Sequence, residues 1–263
     1  MALEIYLSSA CLWKQSLGEI LSFASKAGFA GVEVWVEQLK DTDCSHKLKE
    51  QARRLGLALC VHATSWDLNI CSMNPAIRKV SIAQIKRSIC VARDLGASDI
   101  TIHPGRMETK IYALGQYQSL LSASLREICQ FALKLGIVPS LELMEKIPKE
   151  FVVNPSEINV LLADIAPLQC GVTLDVAHLD DTEMFFHYFA ELPHTDKIHL
   201  SNRKGTKLHT PVFDGDIDVV SVLEHLHVAN LPIVIEGNGV GEEELIDMLW
   251  KIQMIKHRQE KVS

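Results

Sequence analysis

Eight short apolar runs recur along the chain, at positions 4–10, 31–37, 57–63, 99–105, 138–144, 170–178, 196–202 and 232–238, each bounded by turn residues. Runs of this length and composition predict buried strands. Between them lie longer stretches, among them SLGEILSFASKAG, NPAIRKVSIAQIKRSICVARDLG, SLLSASLREICQFALKLG and DVVSVLEHLHVANL, in which apolar residues return at the spacing of one helix face. Several helical stretches close on glycine before the next strand, in AGFAG, RLGLA, DLGAS and KLGIV. Glycine takes the left-handed backbone just past a helix end at the least steric cost, so these sites read as helix stops.

Strand followed by helix, repeated eight times in roughly 250 residues, is the expected size of a single (β/α)8 barrel. Parallel strands covered on both faces should read as continuous apolar runs, and these are read that way. The competing open, doubly wound sheet would place a glycine-rich phosphate loop after its first strand, and LSSACLWKQS has none. Nothing marks a linker: the 263 residues contain no Pro/Ser/Gly-rich stretch, no low-complexity run and no long block of like charge. With 48% hydrophobic residues the chain can bury a sizeable core, so residues 1–263 are read as one domain.

In a barrel all eight strands point their C-terminal ends at one mouth, so polar residues at those ends converge although they are far apart in sequence. Glu33, Glu37, His62, His103, Glu142, Asp175, His178, His199 and Glu236 all fall at or near that mouth. A strand-end histidine such as His62 or His103 can be a hydrogen-bonded structural residue, Glu37 an exposed loop acid, and Trp35 and Trp66 either core packing or the wall of a pocket. Glu142, Asp175, His199 and Glu236 differ as a set. Each sits near the end of an apolar run, in LELM, GVTLDVAH, DKIHLSN and IVIEGN, where an acid or imidazole is costly to desolvate. Four such residues in one mouth call for a common partner. Three carboxylates and one neutral imidazole suit a hard or borderline divalent cation (Mn²⁺, Mg²⁺, Co²⁺ or Zn²⁺) better than copper or an iron–sulfur centre.

Charge and cysteine usage narrow the partners. A net charge of −7 gives no global pull toward a phosphate backbone, which favours a small-molecule substrate over nucleic acid. The seven cysteines are scattered, never paired as CxxC, and read as reduced small hydrophobes. No apolar run approaches the ~20 residues that span a bilayer. The start MALEIYLSSACLWKQ lacks a basic segment before a long apolar core, so a cytoplasmic protein without membrane contact is expected.

In chain order, AGFAGVEVW, then HATSWDLNI with a helix ending in ARDLGASDITIHPG, LELM with FVVNPSE, LDVAH, HLSNRKG, HTPVFDGDID and IVIEGN together resemble the xylose isomerase-like TIM barrels. That family holds sugar isomerases and epimerases, inosose and shikimate-pathway dehydratases, and endonuclease IV. The resemblance runs from the second strand to the eighth and implies a metal site on Glu142, Asp175, His199 and Glu236, with His178 beside the substrate. His62, His103 and His209 match positions that bind further zinc ions in the endonuclease branch, but Lys207 stands where that branch has a metal-binding aspartate. A lysine adds positive charge where the ions need a carboxylate, which argues for one ion over a trinuclear cluster. LMEKIPKEFVVNPSE lacks the glycine-rich turn of the endonuclease branch and looks like the isomerase members, while Asn202 replaces an aspartate many of those members carry.

The expected chemistry is proton transfer on a small sugar or other hydroxy-carbonyl compound. A divalent ion holding two neighbouring oxygens acidifies the C–H between them and stabilises the enediolate that forms. Glu142 and Glu236 are the expected acid–base pair, flanking the substrate from opposite sides. His178 and Arg203 are expected to hold substrate hydroxyls or a carboxylate, with His62, His103, Glu33 and Trp66 completing the substrate site. Isomerase, epimerase and dehydratase outcomes differ in where the proton or hydroxyl goes, and all three stay open. The alternatives are an abasic-site endonuclease, with Arg106, Lys110, Lys204 and Lys207 as its basic rim, and a binding barrel without turnover. Pairing into homo-oligomers through helices or loop arms also fits a barrel of this size.

Overall fold

A computed structural model describes residues 4–40, 44–192, 194–226, 229, 231–237 and 239–260, the last five without their side chains. The eight apolar runs become the eight strands of one closed parallel barrel: β1 (Ile5–Ser8), β2 (Gly31–Trp35), β3 (Ala58–His62), β4 (Asp99–Ile102), β5 (Val138–Leu143), β6 (Gly171–Asp175), β7 (Thr195–Leu200) and β10 (Ile233–Ile235). The ring closes where β10 pairs with β1, Ile5 lying opposite Ile233. Helices α1 (Leu17–Ala27), α2 (Ser45–Leu55), α3 (Pro75–Leu95), α4 (Leu114–Leu133), α5 (Pro155–Ile165), α6 (Thr182–Glu191), α7 (Val219–Leu226) and α8 (Glu242–Glu260) complete the single (β/α)8 TIM barrel. A short antiparallel hairpin, β8 (Asn202–Lys204) with β9 (Lys207–Thr210), was not legible in the apolar pattern. Positions 227, 228, 230 and 238 of the last predicted helix and strand lie outside the described residues.

Local chemistry sets the ends of these elements. Ser16 caps α1 by accepting from the Glu19 amide while Glu19 reaches back to the Ser16 amide, and α1 stops at Gly28 with φ 94°. Asn74 caps α3 through the Ala76 amide, with Pro75 in the first turn. The glycine of KLGIV does not sit directly at its helix end. α4 stops at Leu133, and Gly136 (φ 69°) closes the following turn through a bond from its amide to Leu133 O. At the mouth the strands stop short of the predicted runs. The Asp175 carboxylate accepts from the Ala177 amide at 2.7 Å and starts a 3-10 turn over Val176–His178, so His178 leaves the ladder.

The two faces of the barrel wall differ sharply, which corrects the expectation of uniformly apolar strands. Outward residues such as Leu7, Val32, Ile100, Leu141, Leu174, Ile198 and Ile235 join the large core under the helices. Inward residues follow the strand period of two. At the base they are Tyr6, Cys60 and Val234, and above them come Ser8, Glu33, Thr101, Ser140, Thr173 and Lys197, all buried. Strands β2, β4, β5, β6 and β7 therefore alternate apolar and polar positions, because much of the inner face is given over to a hydrogen-bonded interior instead of the usual branched apolar filling. Thr101 Oγ1 lies 3.1 Å from Thr173 Oγ1, Thr173 donates to Ser140 Oγ at 2.8 Å, and Ser140 donates to Asp196 Oδ1 at 2.6 Å.

Asp196 ends this chain of bonds at the base of the barrel, lying across the backbone of Gly171. A Cβ added at Gly171 would fall 1.7 Å from Asp196 Oδ2. Gly171→Ala is expected to cost about 1–3 kcal/mol, since overpacking here displaces the half-buried Asp196 carboxyl from Ser140, and denaturant unfolding will measure it. Burial pushes the Asp196 carboxyl up to about 6 from the ordinary 3.8. The folded chain therefore holds this proton more tightly than the unfolded chain. Its contribution to stability is full below about pH 4 and is lost as pH rises through about 6. In Asp196→Asn that loss is absent, so the melting temperature of the variant should gain on the wild type between pH 4 and pH 6.5. A difference that stays constant with pH would contradict the assignment.

Candidate metal centre

Period-two geometry carries the site. Glu142 follows Ser140 on the inner face of β5, Asp175 follows Thr173 on β6, His199 follows Lys197 on β7, and Glu236 follows Val234 just beyond β10. Pairing then aligns them, with Asp175 opposite His199 and Glu142 opposite Thr173. His199 Nδ1 lies 2.9 Å from Glu236 Oε2 and 3.5 Å from Glu142 Oε1. Glu142, Asp175 and His199 offer ligand atoms within 4.8 Å of one another. β5 and β10 stand three places apart in the ring, so Glu142 and Glu236 approach from different sides without being diametrically opposed.

The donor set fits a divalent cation. Glu142 Oε2, Asp175 Oδ2, His199 Nδ1 and Glu236 Oε2 are all buried, and not one is aligned with a hydrogen-bond partner. Buried polar atoms without partners are rare and costly. Here such atoms fall on each of the four residues expected to bind metal, and on Glu33, Asp99 and Glu145 close by, so the acids outnumber the aligned donors around them. Charge makes the same case, since four carboxylates (Glu33, Glu142, Asp175, Glu236) face one ammonium, Lys197. Protons on histidine make up the deficit. Burial opposes charge on His178, yet Asp175, Glu142 and Glu145 raise it to about 9. His199 is lifted well above its usual value by Glu33 and Glu236 against the same burial. Asp175 is pushed up by burial, while Glu142, ringed by His103, His199 and His62, stays well below the ordinary carboxylate range.

Beneath the mouth lies a layer that the sequence reading did not single out. Lys197 is 1% exposed, and its ammonium donates to Glu33 Oε1 at 3.0 Å and Thr101 Oγ1 at 3.1 Å and pairs with Asp99. Glu33 in turn stands 3.1 Å from His199 Nε2. With Nε2 turned to this carboxylate, His199 presents Nδ1 upward to the other acids. Glu33 is fully enclosed, so the structure places it under the site as a support for His199 instead of in reach of a substrate. The signal for Lys197 was available, because DKIHLSN puts it two residues before His199 and therefore on the same inner face.

The other expected site residues divide into two groups. His62 and His103 come within 3.5 and 2.9 Å of Glu142 Oε2. Trp35 stacks flat on His62, ring centroids 3.8 Å apart, and His62 Nδ1 is 2.9 Å from Ala63 O. His178 Nδ1 is 2.7 Å from Leu143 O, which leaves Nε2 at 3.6 Å from both Asp175 and Glu145. His209, with φ 55°, is carried in by the unforeseen hairpin to 3.8 Å from Asp175. Arg203 is turned elsewhere, donating to Leu179 O, Asp180 and Gly205 O. Asn202 is a staple, bonding Val212, Ile217 and the Arg203 amide. Lys207 is exposed, Lys204 pairs with Asp214, and Trp66 is 59% exposed on the rim. Glu145 and Glu150 were missed. Glu150 is raised to about 7 by burial and by Glu145.

A model of the xylose isomerase-like TIM barrel family matches residues 21–250. An uncharacterized protein of Methanocaldococcus jannaschii is 26% identical over 185 residues, 68% of this chain, and the chain spans less than two thirds of that relative, 63%. Among solved structures, a D-tagatose 3-epimerase-like protein superposes with TM-score 0.86 at 23% identity, covering 99% of this chain and 100% of that one. A D-psicose 3-epimerase from Clostridium cellulolyticum H10, solved with D-tagatose, gives TM-score 0.79 at 18% identity and covers 97% and 99%. At these identities the structural likeness speaks for the fold.

Removing the Lys197 ammonium leaves the fully buried Glu33 with His199 as its one charged partner and strips the half-buried Asp99 of its ion pair. Lys197→Met should therefore lose about 3–5 kcal/mol of unfolding free energy. Lys86→Ala, which breaks a surface pair with Glu127, should lose less than about 1 kcal/mol. Similar losses in urea titrations of the two variants would refute the internal ion pair as a main support of the barrel.

Proposed function

The chain belongs to the xylose isomerase-like TIM barrel family, and from that premise we propose that it is a divalent-metal-dependent epimerase or isomerase of a small sugar or related hydroxy-carbonyl compound. The observation that supports this reading is the convergence of three carboxylates and an imidazole, from Glu142, Asp175, Glu236 and His199, in one buried cluster at the barrel mouth. The D-tagatose 3-epimerase-like protein and the D-psicose 3-epimerase that share its fold support sugar epimerisation. A cation on these four residues would supply Lewis acidity toward the substrate oxygens, lowering the barrier to losing the proton from the carbon between them.

The chain's own groups do the rest. One of Glu142 and Glu236 takes the C–H proton as the enediolate develops, and the other returns one from its own side. Return to the opposite face of the same carbon gives an epimer, and return to the neighbouring carbon gives an aldose–ketose isomer. Placement of the two acids three strands apart favours delivery from different directions. His178, anchored through Nδ1 on Leu143 O, turns Nε2 toward the site, where its N–H would face developing oxyanion charge. Glu33 and Lys197 hold His199 in register from below.

Elemental mass spectrometry on protein purified without chelator should find about one divalent ion per chain, lost in Asp175→Asn. No metal even after adding Mn²⁺ or Zn²⁺ would end the proposal. Two or three zinc ions per chain would instead favour a cluster that takes in His62, His103 and His209. On any ketose or aldose that the loaded protein converts in D₂O, Glu142→Gln and Glu236→Gln should each lower turnover by about 10²–10⁴-fold, the usual contribution of a positioned acid or base. Near-normal turnover in both variants would refute their role as proton carriers.

A further inference from the structure

Next to the metal centre, between the loops that follow β3 and β4, lies a cavity of about 570 Å³. Its wall includes His103, 2.9 Å from Glu142, but none of the four ligand side chains, so the space lies beyond the reacting end of a bound substrate. At ~30 Å³ per liquid water this volume exceeds what a single hexose of about a dozen heavy atoms would fill while also reaching the metal.

The cavity is built on pinned loops. The Glu37 carboxylate accepts from the Ser65 amide and hydroxyl and from the Trp66 amide, fixing the segment that carries Trp66. Asn69 laces the two loops together, donating to Arg106 O at 2.7 Å and accepting from the Arg106 amide at 3.2 Å. Gly105, with φ 80°, permits this approach, since a Cβ there would meet Asn69 Oδ1 at 2.4 Å. On this fixed frame Trp66 is 59% exposed, its ring 5.0 Å from that of Trp13. A large aromatic left in water on an ordered loop forms a binding platform, because its face is complementary to the C–H face of a sugar ring. The polar groups decide the charge of the occupant. Arg106 shares the cavity with the Asp67 and Glu150 carboxyls, so its guanidinium is not left as an isolated cation for an anionic group.

Resting on the epimerase or isomerase reading of the metal centre, we propose that this cavity is a subsite for a second, uncharged sugar ring. The substrate is then a glycoside, with its hydroxy-carbonyl unit at the metal and its distal ring against Trp66. Isothermal titration of the metal-loaded protein with D-fructose, D-fructose 6-phosphate and isomaltulose, a fructose glucosylated at O6, tests this. Isomaltulose should bind roughly tenfold or more tighter than D-fructose. In Trp66→Ala that ratio should fall toward one with metal content intact. Equal affinities in the wild type, or a ratio that survives Trp66→Ala, overturns the proposal. Tighter binding of D-fructose 6-phosphate than of isomaltulose, lost in Arg106→Ala, overturns it in favour of an anionic monosaccharide. Binding is read apart from turnover, so the two readings fail separately. A Trp66-dependent preference for isomaltulose on a metal-loaded protein that converts no ketose or aldose in a broad panel refutes the epimerase reading and keeps the subsite. Conversion of D-fructose without that preference does the reverse.

Discussion

The ion pair between Lys197 and Glu33 inside the barrel is the constraint on which the rest depends. A lysine and a glutamate taken fully out of water are stable only while each satisfies the other, and here Thr101, Asp99 and Cys60 fill the remaining valences. That arrangement dictates the inner face of β2, β4 and β7, and through β5 and β6 it extends down to Ser140, Thr173 and Asp196. It also fixes what stands above it. Glu33 meets His199 from below, and only one imidazole nitrogen is left to face the mouth.

A polar interior has a structural consequence for the barrel wall. Since the inside supplies only the small apolar cluster of Tyr6, Cys60 and Val234, most cohesion comes from the outer layer, where Leu7, Ile100, Leu141 and Ile198 are gripped by the amphipathic helices. The inside contributes specificity in place of hydrophobic energy. A one-residue slip in any strand would bring Glu142 or Lys197 into the apolar layer and Leu141 or Ile198 into the charged one, so register and site geometry are enforced together.

The division between strand ends and loops repeats this logic at the functional level. Residues on the ladder, Glu142, Asp175 and His199, have their backbone positions set by strand pairing. Residues beyond it depend on particular anchors: Glu37 holds Trp66, Leu143 holds His178, and the β8–β9 hairpin carries His209. Chemistry common to many barrels belongs on the first set, and selectivity for one substrate belongs on the second, where loops can change without disturbing the sheet.

Strand positions, barrel closure and the convergence of Glu142, Asp175, His199 and Glu236 were legible in the sequence because strand period and burial cost act locally: an acid ending an apolar run is conspicuous wherever the chain folds. Lys197 obeyed the same period two residues before His199, yet it reads as an ordinary surface lysine until β2, three places away in the ring, brings Glu33 against it. Arg203 looked like a substrate clamp and is instead turned to Leu179 and Asp180, and Asn202, which stands where an acid was expected, proves to be a loop staple. The β8–β9 hairpin left no apolar signature because its residues are mostly polar and its pairing is only a few residues long. The sequence by itself determined which residues face inward and how many strands close the ring, since both follow from alternation along one segment. Which charges meet, which nitrogen of His199 faces the mouth, and which loops wall the cavity were decided only by tertiary structure, because each depends on pairing between strands far apart in the chain.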